Sequence, residues 1–299
     1  MELVIDVGDA RLPATLELPH GSVRGGLISL HGADAGQRSF FLYEHLARVL
    51  PQRGVAVLRY DRRPGLGGAD VPLDVQAADA RVAIRLLREH IGAGPVVVWG
   101  WSQGGWAAPM MAATYPDEVA ALVVVSSCGV SPAAQMRFGT AEQLRRRGYG
   151  EEDLRELAVL RVAVEAYLRG DRDRAAVQAL VDAAARRSWF PLVYVRRQLP
   201  EPGVWQDMDF EPASIFERVR CPVLAFYGET DAWMPIEESV AVWEQAGRAS
   251  GNLDITVVRL AGCDHVPTLD ERQDVEGISA HHTDVLLTWL DERLEPMIR

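Results

Sequence analysis

The chain of 299 residues is long enough for two domains or for one large domain with an insertion. Hydrophobic residues make up 48% and charged residues 24% of the sequence, which excludes collagen-like, disordered and disulfide-scaffold classes. The formal net charge of −11 disfavours nucleic acid and anionic membrane surfaces as partners. All 31 basic residues are arginine, so lysine Schiff-base chemistry and a Walker-type phosphate loop are excluded.

The cysteines and the N-terminus bear on the compartment. Cys128, Cys221 and Cys263 fit no zinc-ligand spacing and are an odd number for a disulfide framework, so reduced thiols are expected. The first residues, MELVIDVGDA, carry acids where a secretory signal carries cations. No run approaches the roughly 20 apolar residues of a membrane span. We therefore expect a cytoplasmic protein without a membrane partner.

The first half of the chain alternates β-rich runs with helical patterns. Runs near 2–7 and 14–18 predict an antiparallel start. The elements that follow are strands at 23–30, 55–60, 96–99 and 121–126 and helices at 39–50, 74–90 and 103–115. Continuous apolar runs such as VVVW are typical of parallel strands covered on both faces. The alternation predicts a mostly parallel sheet with helices on both sides.

The pattern changes at residue 131. From there to residue 215 no strand is predicted, and the expected helices begin at a capping box at 140–143 and continue at 154–168, 175–187 and 189–199. Alternation resumes with strands at 222–228 and 255–260 and helices at 236–245 and 281–294. We therefore predict an α/β core formed by 1–130 and 216–299, with a helical cap inserted at 131–215, below called the cap segment.

The sequence GWSQGG at 100–105 follows an apolar strand and opens a helix, which is the context of a nucleophile elbow. A serine at such a sharp turn has a strained backbone, and side chains at the flanking glycines would crowd the neighbouring strand and helix. Ser102 is therefore the candidate nucleophile. The N–H of Gln103 lies at a helix N-terminus, where it can stabilise an oxyanion.

A serine hydroxyl needs a base, and the base needs a carboxylate to orient it. Among seven histidines, His265 lies in the loop after the last predicted strand, at the carboxyl edge of the sheet. Asp231 follows the preceding strand, which gives the chain order Ser, Asp, His expected of this arrangement. Asp264, beside His265, is the rival acid, and His31 is a weaker candidate for the base.

These motifs resemble those of the α/β-hydrolase superfamily over nearly the whole chain. The sequence LHGAD at 30–34 resembles the oxyanion loop of that family, and YDRRPGLG at 60–67 resembles its Y-D-x-R-G-x-G loop with Pro64 inserted. The elbow and the G-x-x-D…H pair complete the set. The chain is most similar to capped bacterial serine esterases related to the acyl-peptidase-like hydrolases, although Trp101 stands where His or Cys is commoner.

The resemblance implies roles for further residues. The backbone N–H of Ala33 would be the second oxyanion donor, and His31 would be structural. Asp61 and Arg63 would brace the loop beside the oxyanion hole. Independently of the resemblance, the sequence offers candidates to line a pocket under the cap, for each aromatic one of which packing in the core is the alternative: Asp34, Trp101, Trp106, Met136, Phe138, Trp189, Phe190, Tyr194, Trp205 and Trp233. A cap rich in Trp and Phe predicts an apolar or aromatic group on the substrate.

We therefore expect a serine hydrolase that cleaves a carboxylic ester of a small molecule through a covalent acyl-enzyme, with no metal or organic cofactor. The same residues would also serve amide, peptide, thioester, lactone or carbon–carbon bond hydrolysis, or acyl transfer. Ser102 argues against epoxide and haloalkane hydrolysis, which use an aspartate nucleophile. A non-catalytic ligand-binding protein would most simply lack part of the triad. The sequence leaves a homodimer open.

Overall fold

Eight strands form a single sheet at the centre of the protein. The computed structural model describes residues 1–65, 69–270 and 272–294. The strands are β1 (Glu2–Asp6), β2 (Arg11–Glu17), β3 (Gly25–Leu30), β4 (Val55–Tyr60), β5 (Val96–Trp101), β6 (Ala121–Val125), β7 (Val223–Gly228) and β8 (Ile255–Leu260). Their order in the sheet is β1-β2-β4-β3-β5-β6-β7-β8. Strand β2 pairs antiparallel with β1 and β4, and the other neighbours are parallel, so the predicted mostly parallel sheet with an antiparallel start is confirmed.

Helices cover both faces of this sheet. They are α1 (Phe41–Val49), α2 (Leu73–Ile91), α3 (Gly104–Thr114), α4 (Pro132–Arg146), α5 (Glu151–Leu168), α6 (Arg174–Ala184), α7 (Pro212–Phe216), α8 (Ile236–Ser250) and α9 (Ala280–Arg293). Side chains alternate along a strand. Val96 and Val98 of β5 therefore pack with α2, α3 and α8, whereas Val97 and Trp99 pack with α1 and α9. This two-sided burial explains why the core strands are apolar without interruption.

The segment between β6 and β7 contains α4, α5 and α6 and has a hydrophobic cluster of its own. This cluster includes Leu157, Tyr167, Val177 and Trp189 and is separate from the two clusters that cover the sheet. Helix α7 spans the predicted boundary at 215/216 and packs on the core, where Phe216 stacks on Trp243 with ring centroids 3.9 Å apart. The cap segment thus packs as helices around its own apolar centre.

Two predicted elements of the cap segment are wrong. Helix α4 begins at Pro132, capped by the Ser131 hydroxyl, and Thr140 lies inside it, where its hydroxyl donates to the Met136 carbonyl. The expected helix at 189–199 is only a short 3₁₀ turn, Phe190–Leu192. The left-handed backbone of Tyr194 (φ 53°) prevents a continuous helix there.

The parallel strands bring distant parts of the sequence to one edge of the sheet. Strands β3, β5, β7 and β8 run in the same direction, so the loops that follow them meet at their carboxyl ends. Those loops carry Ala33, Ser102, Asp231 and His265. Among the described residues, no helix is both long and apolar enough to cross a bilayer.

Candidate active site

Ser102 lies in the sharp turn between β5 and α3 and has a positive φ of 54°. The turn requires glycine on both sides. A Cβ on Gly100 would lie 2.1 Å from the Gly104 carbonyl oxygen, and one on Gly104 would lie 2.5 Å from the Leu30 carbonyl oxygen. The sequence therefore folds this segment into a strained turn that only small residues permit, and the turn presents the Ser102 hydroxyl at the sheet edge.

His265 connects Ser102 to Asp231 by hydrogen bonds. Its Nε2 lies 2.9 Å from the Ser102 Oγ, and its Nδ1 lies 2.9 Å from the Asp231 Oδ2. The Asp231 residue is only 3% exposed, and its other oxygen accepts a 2.7 Å hydrogen bond from the Trp233 N–H. Both Asp231 oxygens are therefore engaged, and the carboxylate holds the imidazole with Nε2 directed at the hydroxyl.

The charges around His265 favour its protonated form. Burial lowers the pKa of His265, but the Asp231 carboxylate raises it through its charge and its hydrogen bond, and the charge of Asp264 raises it further. Together these carboxylates raise the pKa above the ordinary value of 6.5. The site is therefore suited to stabilise an imidazolium at the moment a proton arrives.

Asp264 acts on His265 only through its charge. No hydrogen bond joins the two side chains in the described part of the chain, and the Oδ1 of Asp264 is buried without a partner. The geometry favours Asp231 over Asp264 as the orienting acid.

Ala33 and Gln103, whose backbone N–H groups are the expected oxyanion donors, line the same cavity as Ser102. Neither N–H donates a hydrogen bond to another described residue. His31, by contrast, is buried behind this loop, and its Nε2 lies 2.7 Å from the Tyr60 carbonyl oxygen. Burial lowers the pKa of His31 to about 3, so it is a neutral packing residue and does not contact Ser102.

Arg62 is a residue that the sequence analysis missed. Its Nη2 donates to the Ala33 carbonyl and its Nη1 to the Gln103 side-chain oxygen, each at 2.5 Å. The expected bracing residues have other partners: Asp61 binds Arg38, and Arg63 binds Asp79. Successive side chains leaving β4 point to opposite sides, so only Arg62 of the arginine pair reaches the two segments. Nothing in the sequence distinguishes these two arginines.

Trp101 contacts the loop that carries His265. Its Nε1 donates a 2.8 Å hydrogen bond to the backbone carbonyl of His265. The indole stacks on Phe40 with centroids 5.1 Å apart, and the Ser126 hydroxyl donates to the same carbonyl at 3.1 Å. The large ring therefore fixes the backbone from which the His265 side chain projects.

A cavity of about 1080 Å³ opens at Ser102 and His265 and extends under the cap segment. The expected lining residues that do line it are Asp34, Trp101, Trp106, Met136, Tyr194, Trp205 and Trp233. Phe138, Trp189 and Phe190 do not. Phe138 is two positions from Met136 on α4, so the two side chains lie on different faces of the helix. Trp189 and Phe190 belong to the cluster inside the cap segment.

The cavity also has charged residues that the sequence analysis did not single out. Arg161 and Glu165 of α5 line it, as do Asp70 and Asp207. Asp207 is half-buried, and burial raises its pKa, an effect to which the charges of Asp74 and Asp70 add. In the ranges that the structure describes, no three His, Cys, Asp or Glu side chains are grouped so that they could hold a metal ion.

The sequence of the chain matches a known family over residues 27–277, more than four-fifths of its length. The chain belongs to the alpha/beta hydrolase family. It is 28% identical over 257 residues to a pimeloyl-[acyl-carrier protein] methyl ester esterase of Aromatoleum aromaticum, covering 84% of this chain and 95% of that relative.

Solved structures show the same fold. A highly thermostable carboxyl esterase from Bacillus coagulans matches with a TM-score of 0.62 at 17% identity over 99% of both chains. A proline iminopeptidase from Mycobacterium smegmatis matches with a TM-score of 0.61, also at 17% identity, over 98% of this chain and 99% of that one. At such low identity these similarities concern the fold alone.

Proposed function

We propose that this member of the alpha/beta hydrolase family hydrolyses a carboxylic ester of a small molecule, with Ser102 as nucleophile, His265 as base and Asp231 as the acid that orients the base. The observation that carries the proposal is the continuous pair of 2.9 Å contacts from the Ser102 Oγ through His265 to Asp231. The esterase among the relatives supports the ester as the bond cleaved.

In the proposed reaction, the Ser102 Oγ attacks the ester carbonyl carbon while the His265 Nε2 accepts the hydroxyl proton. The N–H groups of Ala33 and Gln103 donate to the resulting oxyanion. The intermediate then collapses: the bond to the leaving-group oxygen breaks, His265 gives its proton to that oxygen so that it departs as an alcohol, and the acyl group stays on the Ser102 Oγ. Water, deprotonated by His265, attacks the acyl-enzyme, and the acid is released with Ser102 reprotonated.

A substrate panel tests the ester as the preferred bond. Esters, thioesters and amides that share one acyl group would be compared by kcat/KM on the purified chain. We expect the ester to be hydrolysed faster than the amide, because amide resonance makes the carbonyl carbon less electrophilic and an amide anion is a poorer leaving group than an alkoxide. A higher kcat/KM for the amide would replace the proposed ester hydrolase with an amidase or peptidase that uses the same residues.

Activity should fall on acidification because His265 accepts a proton only when its ring is neutral. Since nearby carboxylates raise its pKa, we expect kcat/KM to be half-maximal above pH 6.5. In Asp231→Asn, burial still lowers the pKa of His265, but the Asp231 charge that mainly raises this pKa is lost. The acid limb of the residual activity should therefore move to lower pH. A flat profile from about pH 5 to 8 would contradict a histidine base.

Arg62→Met should lower kcat by about tenfold to a hundredfold, somewhat less than the loss of an oxyanion donor itself. The guanidinium contacts both segments that carry the proposed donor N–H groups, so its removal leaves them free to separate. Arg62→Lys should rescue little, because one ammonium lacks the fork that reaches two acceptors. Arg38→Met, which removes an ion pair with Asp61 of the same loop, is the control. Equal kcat losses in the two Met variants would contradict this role.

The cap segment should determine which acyl groups fit. Met136→Trp would fill part of the cavity, and we expect it to change the ratio of kcat/KM for long and short acyl esters by about tenfold. Leu180→Trp is the control, since Leu180 lies on α6, is exposed and does not line the cavity. If Met136→Trp lowered the melting temperature yet left this ratio unchanged, the cap segment would not select the acyl group.

A further inference from the structure

One face of α5 forms part of the wall of the active-site cavity. The residues on this face are Arg161, Val164, Glu165 and Leu168, which follow the spacing of a single helical stripe. Two of the four are charged, although Arg161 is 4% and Glu165 1% exposed. Charged side chains are rarely buried to this extent unless they are paired.

Neither charge is fully paired. The Arg161 Nη2 donates to the Val193 carbonyl, but its Nε is buried without a hydrogen-bond partner. Both carboxylate oxygens of Glu165 are buried and accept no hydrogen bond, although the Nη1 of Arg137 lies 3.3 Å from one of them as an ion pair. Unsatisfied buried polar groups are costly, so a polar partner that reached this wall would relieve the cost of leaving the Arg161 donor and the Glu165 acceptors without hydrogen bonds.

The pair restricts the chemistry of that partner. Arg161 and Glu165 are one helical turn apart and so lie side by side. A carboxylate drawn to Arg161 would be repelled by Glu165, and an ammonium drawn to Glu165 would be repelled by Arg161. A neutral group that accepts and donates at adjacent atoms satisfies both, and a carboxamide has this pattern: its oxygen accepts from Arg161 and its N–H donates to Glu165.

We propose that Arg161 and Glu165 form a subsite for a carboxamide carried on the substrate at a distance from the ester that is cleaved. Val164, Leu168 and Leu199 line the same cavity and provide apolar surface for the chain that joins the two groups. This subsite rests on the proposed ester hydrolysis and adds a substrate class to it. It differs from the purely apolar or aromatic group that the composition of the cap segment predicts.

The test compares esters with one leaving group and a graded series of acyl spacers. Each spacer would end in a carboxamide, in its apolar isostere isopropyl, in a carboxylate or in an ammonium. For the spacer that reaches the subsite, we expect kcat/KM of the carboxamide to exceed that of the isopropyl ester at least tenfold, because a site built to hydrogen-bond a group rejects the analogue that lacks it. The two charged tails should both be poorer than the carboxamide.

Glu165→Leu should reduce the carboxamide-to-isopropyl ratio to near one. Glu152→Leu, on the same helix but exposed and outside the cavity, should leave the ratio unchanged. The ratio compares two substrates on the same variant, so it is insensitive to a general loss of activity. Removal of an ion pair with a purely structural role would lower activity on both substrates alike and leave the ratio unchanged. If Glu165→Leu does not fold, competitive inhibition of the wild-type chain by the free carboxamide-tailed acid and by its isopropyl analogue measures the same preference.

The outcomes separate this subsite from the function on which it rests. Equal kcat/KM for carboxamide and isopropyl tails at every spacer length, or a preference that survives Glu165→Leu, would overturn the subsite and leave ester hydrolysis standing. Failure of the chain to hydrolyse even the acetate ester, which is too short to need the subsite, would overturn the proposed function itself.

Discussion

Ser102→Ala is expected to abolish covalent labelling by a fluorophosphonate and to lower kcat by about 10⁶-fold. The Ser102 hydroxyl lies 2.9 Å from the His265 Nε2, which can accept its proton. Alanine removes this hydroxyl and fits the same strained turn. The fold should persist, because the methyl group occupies less space than the side chain it replaces. Labelling followed by mass spectrometry, with circular dichroism for the fold, checks both statements.

Ser214→Ala is the matched control for this experiment. Ser214 is exposed on α7 and donates only to the Glu211 carbonyl, so its loss should change neither labelling nor kcat. Labelling that persists in Ser102→Ala, or turnover at the wild-type rate, would end the serine-nucleophile assignment. Loss of labelling in both variants would point to a general defect of the preparation.

Asp231→Asn is expected to lower kcat by about 10³–10⁴-fold without unfolding the chain. Asparagine has the same shape, but its amide presents the wrong hydrogen-bonding group to the His265 Nδ1 and no longer stabilises the imidazolium. Both Asp231 oxygens accept hydrogen bonds, so the buried side chain is held in place and cannot turn away. Steady-state kinetics on a good ester substrate measure this effect.

Asp264→Asn is the neighbouring control and should cost less than about tenfold in kcat, roughly 1.4 kcal/mol. Asp264 contributes a charge near His265 and no hydrogen bond, so its neutralisation should mainly shift the acid limb of the pH profile downwards. If both variants fold and Asp264→Asn is the more damaged, the orienting acid is Asp264 and the Ser102 assignment is unaffected.

The sheet and the sheet-edge loops could be predicted from the sequence because local patterns determine them. Apolar runs such as that of β5 are fully buried, and GWSQGG fits only a strand–turn–helix geometry. The same reasoning failed where long-range contacts decide. Tyr194 takes a left-handed backbone that interrupts the expected helix, and Arg62 rather than its neighbour Arg63 reaches the Ala33 loop. The spacing of apolar residues in the sequence predicts neither the backbone of Tyr194 nor the contacts of Arg62.

Aromatic side chains in the cap segment were the least predictable part of the site. Trp189 and Trp205 are equally apolar in sequence, yet Trp189 fills the cluster inside the segment and Trp205 lines the cavity. The difference depends on how the irregular chain after α6 folds back on α5, which sequence spacing does not reveal. The buried charges of α5 could not be predicted either, because charged positions on a helix ordinarily face solvent.

The separate hydrophobic cluster between β6 and β7 has a consequence for how such a chain can diversify. Residues such as Leu157 and Val177 pack among themselves, whereas the sheet is stabilised by two other clusters. Substitutions inside the segment therefore perturb its own packing more than the strand pairing that fixes Ser102 and His265. We therefore expect changes within the segment to alter the wall of the cavity that it lines, while the sheet that carries Ser102 and His265 keeps its geometry.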